Sequence, residues 1–107
     1  MGTNFKRPFA QHVKKVYKPL RLAIEDEVDV VCDDPKIGEL KVGYLAGIRV
    51  YKFRFSLQEY LIAYRAPKDV VPAEFLVIDF YQVGAHENFY AELKQYLRQE
   101  KSKGTSK

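Results

Sequence analysis

The stretch I-R-V-Y-K-F-R-F at residues 48–55 restricts the fold more than any other part of the chain. Successive side chains of a strand point to opposite faces, so Tyr51, Phe53 and Phe55 share one side while Val50, Lys52 and Arg54 share the other. A helical period would scatter both sets around an axis. The segment therefore predicts a strand with its aromatic side on a core and its basic side turned outward. Y-L-I-A-Y-R at 60–65 reads as its antiparallel partner, reached through a turn at Ser56-Leu57-Gln58-Glu59. F-L-V-I-D-F-Y at 75–81 is apolar almost throughout, as expected of a strand inside a sheet, and Pro67 to Pro72 form the loop before it.

Before these strands, Phe9, Val13, Val16 and Tyr17 recur at helical spacing and Pro8 suits a first turn, which predicts a helix over 8–17. Lys18 precedes a proline and disfavours continuing that helix. A second helix then runs from Pro19 to Asp34-Pro35, with Leu20, Ile24, Val28 and Val31 along one side and Cys32 buried on it. After the third strand Gly84 is read as a strand breaker, and Phe89, Leu93, Tyr96 and Leu97 define a last helix over 86–99. Residues 100–107 read as a flexible basic tail. The order helix, helix, strand, strand, strand, helix is that of one α+β domain over 1–99.

A chain of 107 residues with 47% apolar side chains can bury one core. No apolar run nears the roughly 20 residues that cross a bilayer, and the first residues lack the apolar segment of a secretion signal. We expect a cytoplasmic protein with no membrane contact, a compartment that a single cysteine also fits. The net charge of +4 is unevenly spread. Residues 25–34 hold six acids and no base, whereas 36–68 hold seven bases against two acids. Such a basic middle suits a polyanion, since each neutralised phosphate releases counterions; a solvated basic face without a ligand is the alternative.

His86 and Tyr90 stand four residues apart, one turn of the last helix if both lie in it, beside its core stripe and near the rim of the sheet. Cleaving RNA without a metal requires the 2′-hydroxyl to attack its own phosphate, with a proton acceptor, a proton donor and cations around the phosphate. Histidine titrates near neutrality and can act as acid or base. Lys52 and Arg54 are of the type that stabilises the developing charge, and Tyr90 can stack on a base or donate a proton. A surface or capping histidine is the simpler reading of residue type alone. His12 is read as a surface residue. Two histidines and one cysteine offer no metal-ligand spacing, and neither a Ser/His/Asp set nor a nucleotide-binding glycine loop is present, so no cofactor is expected.

Three strings, L-A-G-I-R-V-Y-K-F-R-F at 45–55, E-Y-L-I-A-Y at 59–64 and V-G-A-H-E-N-F-Y at 83–90, taken in this order, resemble the RelE/ParE superfamily of toxins from bacterial type II toxin–antitoxin modules. The resemblance covers about residues 8–98. It implies two N-terminal helices packed on a small twisted antiparallel sheet of three to four strands, a C-terminal helix, and a concave basic face open to RNA. It also implies a ribosome-dependent mRNA endonuclease that inhibits translation, with Lys52, Arg54, His86 and Tyr90 as catalytic residues; Lys41, Arg49 and Arg65, the last four residues along the strand from Leu61 and so on its face, are expected to bind RNA phosphate. The implied partners are a cognate antitoxin, the ribosome and its mRNA, and operator DNA only through the antitoxin complex. Several relatives have an arginine where this chain has Leu61, and some have one where it has Gln82. These two departures favour a catalytically silent RNA-binding member as an alternative. A gyrase-inhibiting toxin of the ParE branch is another, although the G-A-H-E-N-F-Y ending suits the RNA-cleaving branch better.

Overall fold

Leu61, Ile62, Ala63 and Tyr64 occupy successive positions of one strand, and all four are buried. Because their side chains alternate between faces, both faces of that strand must be covered, and the rest of the chain is arranged to do so. The computed structural model describes residues 2–67 and 72–105, with the backbone alone at 73 and 102–105. Its elements are β1 (Gly2–Phe5), α1 (Arg7–Lys15), α2 (Lys18–Asp33), β2 (Glu39–Leu40), β3 (Arg49–Phe55), β4 (Gln58–Arg65), β5 (Val77–Ala85) and α3 (Phe89–Thr105), with short 3-10 turns at Gly43–Leu45 and Ala73–Phe75. The strands form a single sheet in the order β1-β5-β4-β3-β2. None of the described helices is long and apolar enough to cross a membrane.

One face of the sheet lies under α1 and α2, where Phe9, Leu20, Ile24, Val28 and Val31 meet Phe53, Ile62, Tyr64, Ile78, Phe80 and Val83. The other lies under α3, where Phe89 and Leu93 meet Val50, Leu61, Ala63 and Tyr81. The α+β class and the N-terminal helices on one face are as expected, and α2 buries its apolar stripe together with Cys32. The aromatic side of β3 also faces inward, with Phe53 buried and Tyr51 and Phe55 partly so. Burial and the nearby carboxylates of Asp29 and Asp33 push the Cys32 thiol above its ordinary range.

Several expectations are corrected. The sheet has five strands and is mixed: β1 runs parallel to β5, and two-residue β2 pairs with β3. Val50 belongs to the core under α3, so only Lys52 and Arg54 of the outward set are exposed. Gly84 does not break β5; it pairs with Leu61, and the strand runs on to Ala85. Chain reversal falls instead at His86-Glu87-Asn88, where Asn88 takes a left-handed φ of 64°, a conformation its short polar side chain tolerates. The last helix therefore starts at Phe89, after His86, and reaches Thr105, into the segment expected to be a tail. Lys6 holds that helix to the sheet edge through an ion pair with Glu100 at 3.4 Å. Between β4 and β5 the register slips at Ala63/Tyr64, leaving Tyr81 as an extra residue opposite the pair. Of the expected 67–72 loop, residues 68–71 lie outside the described residues.

The β3–β4 hairpin closes on two residues, Ser56 and Leu57, both with positive φ (52° and 68°). That geometry matches the strand twist, but a left-handed leucine costs about 1–2 kcal/mol, and Leu57 is 94% exposed, so its side chain stabilises nothing in return. Leu57→Gly is expected to raise stability by about 0.5–1 kcal/mol after allowing for glycine's entropy, read as a higher urea midpoint at unchanged slope.

Candidate functional site

β3, β4 and β5 align Lys52 opposite Leu61, and Leu61 opposite Gly84. Directly opposed side chains share a face, so Lys52 stands on the face that carries α3. Arg54, opposite Glu59 in the next row, stands on that face too, at the end of the sheet where β5 leads into His86. The sheet thus brings Lys52, Arg54 and His86 to one end of one face.

His86 is exposed and its ring meets Tyr90 edge-on, with centroids 5.7 Å apart. The two are adjacent as expected, but through a turn followed by the first helical turn rather than along one helix. Phe89 sets this geometry. It is 1% exposed, packs edge-on against Tyr90 at 5.3 Å and anchors the start of α3. Its carbonyl accepts a hydrogen bond from Nε2 of buried Gln82 at 3.3 Å. On Tyr90, Lys41 Nζ lies 5.6 Å from the ring centroid, a cation–π contact. Lys41 is also ion-paired with Glu39. This carboxylate holds the Lys41 ammonium above its ordinary range, and Lys41 in turn lowers Glu39. The charge of Lys52 also reaches Glu39. Lys41, Tyr90 and His86 therefore form a row along one rim, with Lys52 and Arg54 exposed beside it.

Two expected members are elsewhere. Arg49 pairs with Tyr64, on the face away from α3, and its guanidinium donates to the carbonyls of Gly38 at 2.8 Å and Lys36 at 3.3 Å. Tyr64 completes this clamp: its hydroxyl accepts from Gly38 N–H at 2.9 Å and donates to Pro35 O at 2.7 Å. A side chain at Gly38 would fall 2.8 Å from that hydroxyl, so only glycine fits. Arg49 thus positions the segment that delivers Glu39 and Lys41. Arg65 is at the opposite end of β4, about 17 Å along the strand from Tyr60, with its guanidinium over Tyr81 at 5.6 Å.

Glu39 is the neighbour that reading the sequence misses. It enters through a strand of two residues, too short to leave a periodic signal. His12, expected at the surface, is half-buried and lines a groove between α1 and α3 with Gln82, Gly84 and Glu92. Among the described residues no three His, Cys, Asp or Glu side chains gather as a metal set.

The chain matches, over residues 4–94, the family model of the ParE-like toxin of type II bacterial toxin–antitoxin systems. It belongs to this family, within the RelE/ParE superfamily of toxins. Among solved structures it is similar to the intact E. coli RelBE toxin–antitoxin complex, at 20% identity over 79% of this chain and 95% of that one, with a TM-score of 0.60. It is also similar to the isolated E. coli RelE toxin, at 19% identity over 90% of this chain and 95% of that one, with a TM-score of 0.55. None of the curated protein sequences matches. At these identities the likeness establishes a RelE-like fold.

Burial lowers the His12 pKa from 6.5 and Lys15 adds to this, while Glu92 opposes it. The folded chain thus prefers neutral His12, and just below pH 6.5 the unfolded chain binds more protons. Stability is complete above that value and falls as pH drops through the folded pKa. NMR titration is expected to give His12 a midpoint below 6.5, and His12→Gln a flatter pH dependence of the melting temperature over that interval.

Proposed function

We propose that this toxin cleaves mRNA on the ribosome by attack of the RNA 2′-hydroxyl on its own phosphate. The observation that supports it is the row of Lys41, Tyr90 and His86 on the sheet end where Lys52 and Arg54 project from the same face. His86, exposed at the rim, exchanges the proton as acid or base. Lys52 and Arg54 offset the charge that develops on the phosphate. Tyr90, held between Lys41 and His86, stacks on a base beside the scissile bond. Lys41 is part-neutralised by Glu39, so it orients Tyr90 more than it supplies charge. No bound group is needed for this chemistry.

An acidic antitoxin that covers the basic rim would silence such a toxin, and operator DNA would be reached through that complex. The match to a ParE-like family model favours a second reading, inhibition of gyrase without cleavage.

Freed of its antitoxin and added to translating ribosomes, the protein is expected to produce discrete mRNA ends by primer extension. His86→Ala should slow cleavage by about 10²–10⁴-fold, the usual worth of a positioned acid–base group. Uncut mRNA together with blocked supercoiling by gyrase would establish the second reading instead, and a His86→Ala protein that cuts at the parent's rate would remove His86 from the chemistry.

A further inference from the structure

α3 carries Tyr90, Lys94, Arg98 and Lys101 on one side. At about 100° per residue, Lys101 lies roughly 20°, Lys94 roughly 40° and Arg98 roughly 80° around the axis from Tyr90. The stripe extends about 16 Å along the helix. The segment that follows β2 faces it. Lys41 lies over Tyr90 at the near end, and Tyr44 faces Lys94, Arg98 and Lys101 at the far end, across a groove of about 820 Å³ whose wall also includes Arg65. The candidate site and this groove lie at the two ends of the stripe.

Four cations line the far end against a single acid, Glu100, which is engaged by Lys6 at 3.4 Å. Among the described residues no carboxylate lies within ion-pair distance of Arg65, Lys94, Arg98 or Lys101. Tyr44 is 90% exposed, a large ring held out to solvent on a 3-10 turn. Unpaired cations alternating with an open aromatic face suit single-stranded nucleic acid, whose phosphates meet the charges while its unpaired bases stack. An acidic peptide would use the cations but does not by its nature bring a stacking base with every charge, and a duplex keeps its bases stacked on each other.

We propose that this groove holds the single-stranded RNA on one side of the cleavage point, with phosphates on Lys94, Arg98 and Lys101 and a base on Tyr44. The proposal rests on RNA being the substrate of the His86–Tyr90 site. It adds a binding segment outside the reacting atoms that sets how much RNA the toxin grips.

A short 2′-O-methylated RNA, which lacks the attacking hydroxyl, allows binding to be titrated against salt without cleavage. The triple substitution Lys94→Gln, Arg98→Gln and Lys101→Gln is expected to reduce the slope of log affinity against log salt by about 2, near 0.7 per lost phosphate contact. Tyr44→Ala should weaken binding by about 5- to 150-fold, the worth of one stacked base. All four side chains are exposed, and thermal melting confirms that the variants fold. No binding by the parent, or an unchanged slope in the triple variant, overturns the proposal. So does an acidic peptide whose affinity falls in that variant while the RNA's does not, which would make the groove a protein-docking surface. If the slope drops as expected but unmodified RNA is never cut, the groove stands and the nuclease reading fails.

Discussion

The covering of β4 on both faces governs the rest of the molecule. With Leu61, Ile62, Ala63 and Tyr64 all buried, the middle of the sheet can hold no charge, because an unpaired ion there would cost several kcal/mol. Cations are confined to the strand ends, to β3 outside the reach of α3, and to the helix surfaces. Lys52, Arg54 and His86 collect at one end and Arg65 at the other. α3, which makes the second core possible through Phe89 and Leu93, is also the element that links those ends, because its outer stripe runs from Tyr90 to Lys101.

Leu61 illustrates the consequence. An arginine at this position would place a cation in the middle of the face, whereas the leucine is fully buried against α3. Gln82 is likewise buried, its amide tied to the Phe89 carbonyl. Both departures are structural in this chain: they seat the helix that presents Tyr90. In the reaction proposed above, Lys52 and Arg54 beside Leu61 supply the cations that an arginine there would add.

The strong periodic segments were legible in the sequence, namely the alternation through β3, the apolar β4 and β5, and the α2 stripe, because burial alone dictates those patterns. Elements held by backbone pairing were not. β1, Gly-Thr-Asn-Phe, is an edge strand with one exposed aromatic and no alternation, and β2 has two residues. Of the expected site residues, Lys52, Arg54, His86 and Tyr90 gather because each lies in or beside a legible element, while Lys41 joins them through the two-residue β2, which is not. Arg49 lies apart from them, on the side of Tyr51 where strand parity puts it, and residue type alone cannot distinguish a guanidinium facing solvent from one facing two carbonyls.

The clamp around Gly38 explains how so small a rim can be held in place. Glu39 lies on, and Lys41 directly after, an edge strand that by itself makes two residue pairs, too few to fix a side chain over Tyr90. Tyr64 reaches that segment from the end of the buried run in β4, and its hydroxyl both accepts from Gly38 and donates to Pro35, while Arg49 donates to the carbonyls of Gly38 and Lys36. Four hydrogen bonds, two of them made by a buried phenol whose loss would leave polar groups unpaired, thus tie the edge to the strand buried on both faces. The position of Lys41 over Tyr90, at the near end of the α3 stripe, is inherited from the core.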